Sequence, residues 1–162
     1  SMIENDSFNS LINLKSLKLN DNCLFQLNNQ LFQNLINLKE LYLNDNLLKK
    51  LDYNLFQNLN LLENLDLQSN QFEKLQSVLF ENKPNLRKLN LQKHFLSEIN
   101  LNLTLSVKFD SLNLANNNLK KIVHEFFSTI KQIHTFNLSN NYNLSIISLK
   151  NIEIRSIEVS NN

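Results

Sequence analysis

Slid against itself, the chain matches at intervals of 24 residues, and no other feature limits its fold so sharply. "LKSLKLNDNCLFQL" begins at Leu14, "LKELYLNDNLLKKL" at Leu38, "LENLDLQSNQFEKL" at Leu62 and "LRKLNLQKHFLSEI" at Leu86. "FDSLNLANNNLKKI" follows from Phe109 after 23 residues, "IHTFNLSNNYNLSII" from Ile133 after 24, and the partial copy "IRSIEVSNN" from Ile154 after 21. Between these blocks a second signal recurs, as "LFQNLIN" at 31–37, "LFQNLNL" at 55–61 and "LFENKPN" at 79–85. A fixed period of this length implies stacked units, none of which can bury its apolar face alone.

Each block opens with an apolar/polar alternation, the period of a strand with one buried face. A helix over 38–51 is excluded because it would place Leu41 and Leu43 on different faces. Stacking therefore predicts a parallel sheet, with Leu38, Leu41, Leu43, Leu48 and Leu51 as one unit's share of a common core. Asn22, Asn46, Asn70, Asn117, Asn141 and Asn162 recur at the turn leaving each strand, where a short amide can both donate to and accept from backbone groups. Phe8, Phe32, Phe56, Phe80 and Phe127 are expected to stack as a spine on the opposite side.

The pattern resembles the leucine-rich repeat, in its 24-residue "typical" form LxxLxLxxNxLxxLxxxxFxxLxx, over nearly the whole chain. The resemblance implies an α/β solenoid: a segment of a curved right-handed horseshoe of about six or seven repeats. The parallel sheet lies on the concave face, with loops and short helical turns on the convex face. The chain reads as a single domain, 1–162, with a partial repeat at 1–13, repeats starting at 14, 38, 62, 86, 109 and 133, and a partial one at 154–162.

Both ends fall inside a repeat, and neither carries the polar cap that solenoids need. The expectation is a piece of a longer array, with Ser1-Met2 as a cloning remnant and ends near Ile3 and Val159 that fray or self-associate. The later repeats depart from the pattern. His94 stands where the turn asparagine belongs and is read as a substitute that hydrogen-bonds the turn. Thr104 takes the Phe position in "NLNLTLSV" (100–107), a stretch that alternates like an extra strand. Lys83-Pro84 interrupts a leucine position, and "SLKNIE" (148–153) is too short for a Phe-bearing segment.

Composition narrows function by exclusion. Gly is absent, which rules out glycine-rich phosphate-cradling loops. Asn and Leu supply 67 of 162 residues, a bias in keeping with an AT-rich coding genome, so part of the surface Asn is read as compositional drift. A net charge of +1 argues against a nucleic-acid surface. No apolar run is long enough to span a membrane, and the start shows no signal-peptide pattern. Cys23 has no cysteine to pair with inside the chain and no nearby histidine to activate it. His94, His124 and His134 lack metal-ligand spacing. Asp21 and Asp45 occupy equivalent positions, which reads as a solvated pair or a small Ca²⁺-attracting patch. Four glycosylation sequons, at Asn5, Asn102, Asn137 and Asn143, match chance for an Asn-rich chain, and Asn137 falls in a predicted strand. The chain is thus read as non-enzymatic, without cofactor or metal.

What remains is the exposed side of the sheet, where equivalent positions of successive strands stand about 4.8 Å apart. The central column reads Lys18, Tyr42, Asp66, Asn90, Asn113, Asn137, Glu158. Tyr42 is its one aromatic, and charges gather around it in the first four repeats. Tyr and Arg are favoured interface anchors, so Lys18, Glu40, Tyr42, Asp66, Arg87 and Lys88 form the candidate ligand-binding patch. The resemblance, closest to Toll-like receptor, Slit-type and matrix-proteoglycan ectodomains, implies a protein-recognition module of an extracellular or cell-surface receptor or adhesion protein. Its partner would be a protein, with no nucleic acid bound. An intracellular scaffold, the substrate-recognition arm of a larger enzyme or effector, and an engineered solenoid are the alternatives.

Overall fold

A computed structural model describes residues 3–101, 103, 107–122, 124–147, 149 and 152–162. Seven strands form one parallel sheet in chain order: β1 (Ser16–Lys18), β2 (Glu40–Tyr42), β3 (Asn64–Asp66), β4 (Lys88–Asn90), β5 (Val107–Asn113), β7 (Ile130–Asn137) and β9 (Glu153–Glu158). The repeat spacing sets the register. Leu17 pairs with Leu41, Leu41 with Leu65, Leu65 with Leu89, Leu89 with Leu112, Leu112 with Phe136 and Phe136 with Ile157. A second sheet joins β6 (Lys121–Ile122) to β8 (Ile146–Ile147). The expected helical turns shrink, among the described residues, to two four-residue 3₁₀ turns, Ser77–Phe80 and His124–Phe127. The first four strands are three residues long, whereas β5, β7 and β9 run to seven, eight and six, with a bulge at Val107/Lys108. The later repeats are thus irregular through longer pairing. Asn102, Thr104 and the link at 148, 150 and 151 lie outside the described residues, as does the His124 side chain.

The leucines bracketing each strand are buried: Leu41, Leu43, Leu65, Leu67, Leu89 and Leu91 are each at most 1% exposed. Burial of a leucine side chain contributes about 1.5–3 kcal/mol, so this row dominates the interface between neighbouring turns. Phe8 stacks on Phe32 and Phe32 on Phe56, with ring centroids 6.4 and 6.3 Å apart and planes within 16°. Phe80 is buried in its 3₁₀ turn, and the parallel stack ends at Phe56 among the described rings. Phe127 instead meets Phe126 and Phe136 edge-on, at 4.9 and 6.0 Å.

The turn asparagines tie adjacent units together. Asn70 Nδ2 donates to the carbonyls of Leu43 (2.9 Å) and Leu67 (2.9 Å), and its Oδ1 accepts from the Leu48 amide at 3.0 Å. Asn46, Asn117 and Asn141 repeat the arrangement. The exposed Asn22 side chain donates, among the described residues, only within its own unit, to the Leu19 and Asn20 carbonyls, while its backbone amide reaches the Asp45 carbonyl, and Asn162 Oδ1 accepts from the Asn141 amide. His94 meets the sequence expectation in its position and only weakly in its bonding. It fills the slot, 4% exposed and 4.8 Å from the Phe72 ring, and among the described residues its ring nitrogens make only weak contacts, to the backbone of Asn70 and Leu67, and no well-formed hydrogen bond. The ring's donor and acceptor sit on separate nitrogens, unlike the adjacent oxygen and nitrogen of an amide.

The residue before each turn position is left-handed: Asp21, Asp45, Ser69, Lys93, Asn116, Asn140 and Asn161 have φ between 53° and 60°. Side chains rather than glycine hold this strained conformation; Asn44 Nδ2, for instance, donates to Asp45 Oδ2 at 2.8 Å, and Asn20 Nδ2 bonds the Asp21 carboxylate. The two aspartates are thereby engaged locally. A further row of amides bridges units on another flank, so these asparagines are structural rather than compositional drift: Asn34 donates to the Asn9 carbonyl (3.3 Å), Asn58 to the Gln33 carbonyl (2.8 Å) and Asn37 to the Ile12 carbonyl (2.9 Å).

Lys83 occupies the position of Leu35 and Leu59, both 0% exposed, and is itself only 4% exposed. Its ammonium donates to the Glu81 carbonyl at 2.8 Å, and burial pushes its pKa below the ordinary lysine value. A charge held this way costs stability. Lys83→Met, which keeps the stem and removes the charge, is expected to stabilise the protein by about 1–2 kcal/mol in urea unfolding. An unchanged or lowered midpoint would show that the charge is compensated.

Candidate functional site

The register brings the predicted column together on the exposed side of the sheet, which makes that face the candidate site. Lys18 pairs with Tyr42, Tyr42 with Asp66, Asp66 with Asn90, Asn90 with Asn113, Asn113 with Asn137 and Asn137 with Glu158. Strand alternation sends these side chains outward while the leucines between them go in.

Tyr42 is held rather than loose. The Lys18 ammonium lies 5.7 Å from its ring centroid, within cation–π range. Asn64 Nδ2 donates to the Tyr42 hydroxyl at 3.0 Å, and the hydroxyl makes a long 3.5 Å contact to Glu40 Oε2. Glu40 Oε2 also accepts from Ser16 Oγ at 3.0 Å. The half-buried ring thus sits between a cation, a carboxylate and an amide, which fixes its face and leaves it exposed to solvent on one side. Asn64 and Ser16, which sequence reasoning did not select, complete this cluster; their signal was position in the neighbouring column.

Asp66 and Lys88 belong to a second cluster. With Asn64, Asn90, Ser111 and Asn113 they line a shallow depression of about 190 Å³. Burial raises the Asp66 pKa, and hydrogen bonds from the Gln68 amide (3.0 Å) and the Asn90 side chain pull it back. Arg87 stands apart from Tyr42. It lies in the outer column beside Glu63, whose carboxyl is held below the usual range chiefly by the 2.6 Å hydrogen bond from Lys39, with Arg87 adding to the effect. The six-residue patch is therefore two clusters and an outlying arginine.

Beyond Asp66 the column becomes a chain of locked amides. Asn90 Nδ2 donates to Gln68 Oε1 at 3.0 Å, Asn113 Nδ2 to Gln92 Oε1 at 2.8 Å and Asn137 Nδ2 to Glu158 Oε2 at 2.7 Å. Their oxygens accept from the amides of Gln92, Ala115 and Ser139 two residues on. With donor and acceptor both engaged, this half offers a ligand little unmet hydrogen bonding. His134 Nδ1 lies 3.7 Å from Asp110 Oδ1, both partly exposed. Among the described residues no group of three His, Cys, Asp or Glu side chains is placed to hold a metal ion.

The family described as "BspA type Leucine rich repeat region" matches residues 1–104 in six copies. Of solved structures, one titled as the TLR13–ssRNA13 complex is 27% identical, with a TM-score of 0.83 over 98% of this chain and 23% of that one. The APL1 leucine-rich repeat domain is 20% identical, with a TM-score of 0.65 over 97% of this chain and 43% of that one, and speaks for the fold alone. The chain thus spans less than half the length of either. No curated protein matches the sequence.

Proposed function

The chain belongs to the BspA-type leucine-rich repeat family, and from that premise we propose that it is a non-enzymatic protein-recognition module whose ligand lies on the concave sheet. The observation that carries this reading is the pinned Tyr42, presented between Lys18, Glu40 and Asn64 on a sheet that cannot rearrange without breaking its asparagine ladder. Preorganised aromatic anchors lose little side-chain entropy on binding. Asp66 and Lys88, in the next depression, add opposite charges that select orientation. The amide-locked half of the column supplies shape rather than energy.

An extracellular or cell-surface setting is part of this reading, supported by the family resemblance and by the Toll-like receptor among the structural neighbours. The single-stranded RNA in that neighbour's title belongs to that protein. Here Lys18, Arg87 and Lys88 alternate with Glu40, Glu63 and Asp66, so the face lacks the unbroken cationic track a phosphate backbone favours.

The test is a binding screen against secreted and cell-surface proteins, followed by interferometry with the double variant Tyr42→Ala/Asp66→Ala. The expected loss is at least about tenfold in affinity, or about 1.4 kcal/mol. Undiminished binding by a folded double variant would move the ligand off this face.

A further inference from the structure

A second concavity lies away from the sheet, where the chain of the first three repeats turns back after each asparagine turn. It encloses about 440 Å³ and is built from equivalent positions of successive units. Leu27 and Leu51 form a floor that is only 8% exposed at each residue. Asn28, Asp52 and Gln76, each 24 residues apart, make one polar row, and Gln26 and Lys50 make another. Tyr53 closes the bowl with a ring that is 51% exposed. A smaller depression of about 70 Å³, bounded by Ile3 and Asn5, shares Gln26 and Asn28 and lengthens the trough.

The lining decides the ligand class. The floor shows too little apolar surface to hold a greasy molecule, and Asp52 offsets Lys50, so neither a hydrophobe nor an anion is matched. Planar amides and a carboxylate pair instead with hydroxyl groups, each of which both donates and accepts. Two of the polar groups are already oriented: Asp52 Oδ1 accepts from the Asn54 amide at 3.0 Å, and Asn28 Oδ1 from the Gln30 amide at 2.9 Å. Among the described residues this leaves the second Asp52 oxygen and the Asn28 Nδ2 for a ligand. The exposed Tyr53 ring offers a flat apolar face beside these polar atoms, which suits a ring with C–H bonds on one side and hydroxyls at its edge. The volume falls in the range of about 300–1,000 Å³ usual for small-ligand sites.

We propose that this trough binds a neutral saccharide of one or two rings, stacked on Tyr53 and hydrogen-bonded by Asp52, Asn28 and Gln26. The site is independent of Tyr42 and the concave sheet.

The experiment is an NMR titration of the chain with cellobiose, N,N′-diacetylchitobiose and mannobiose. At least one is expected to give saturable shifts at the backbone amides of 26–29 and 50–53, with a dissociation constant on the order of 1 mM. Tyr53→Ala should weaken this at least about tenfold, Tyr53→Phe should retain it, and Tyr42→Ala should leave it unchanged. Three results would overturn the proposal. One is no saturable shift with any of the three sugars up to about 50 mM. Another is equal binding by Tyr53→Ala. The third is a neutral hexapeptide producing those shifts in place of the sugars, which would make the trough a peptide groove.

Discussion

Replacing Asn70 by alanine is expected to destabilise the protein by about 3–5 kcal/mol. Asn70 is 5% exposed, and its amide satisfies the carbonyls of Leu43 and Leu67 and the amide of Leu48 in a region water does not reach. Each buried group left unpaired costs about 1–3 kcal/mol; the Leu48 amide and the Leu67 carbonyl lose this partner together, while the Leu43 carbonyl keeps its bond from Asn46 Nδ2. The same change at Asn22, whose exposed side chain bonds, among the described residues, only the Leu19 and Asn20 carbonyls of its own unit, should cost about 1 kcal/mol or less. Urea unfolding of the two variants side by side separates the explanations. Equal losses would mean the residue acts through local turn preference rather than by joining units. A large loss at Asn70 should also split the transition, because stability in a stacked array is a sum over neighbouring interfaces.

Acidification should weaken the protein through His94. Burial holds its pKa at about 4, below the ordinary 6.5, and the backbone at Asn70 and Leu67 offsets this only in part. Above pH 6.5 the ring is neutral in both folded and unfolded chains, and no difference arises. As pH falls, the unfolded chain takes up a proton that the folded one refuses until about pH 4. Stability therefore declines across that window, by about 3 kcal/mol at its lower end. Carboxylates contribute to acid unfolding as well, so the informative quantity is a difference. His94→Asn, which also offers the Phe72 amide the acceptor that the other rungs provide, should flatten the profile between pH 7 and 4 relative to the parent. Parallel pH profiles for the two proteins would remove His94 from the account.

Much of the fold was legible in the chain, for a simple reason. When equivalent residues recur at 24, both the pairing register and the outward column follow from counting, which sets Lys18, Tyr42 and Asp66 side by side. What escaped depended on side-chain shape and on partners far away in sequence. His94 has the right address for a turn rung and the wrong geometry. The bonds from Asn34, Asn37 and Asn58 were hidden by abundance, since in a chain so rich in asparagine no single one stands out. The division of the binding patch between Tyr42 and Asp66, and the placing of Arg87 with Glu63, arose from choices of rotamer that periodicity does not encode. The trough at Tyr53 was invisible for another reason: it uses the less conspicuous residues between the leucines, and only stacking makes them neighbours.

The left-handed turns carry a consequence of a different kind. A chain with no glycine holds the seven strand-exit turns among its described residues with Asp, Asn, Ser and Lys, each strained in the native state. Glycine at those points would relieve the strain but would enlarge the range of backbone conformations open to the denatured chain, by about 0.4–1 kcal/mol per site. The two effects oppose each other. Glycine-free turns therefore shift part of the protein's stability out of the native contacts and into the poverty of its unfolded ensemble, once per repeat, along the length of the array.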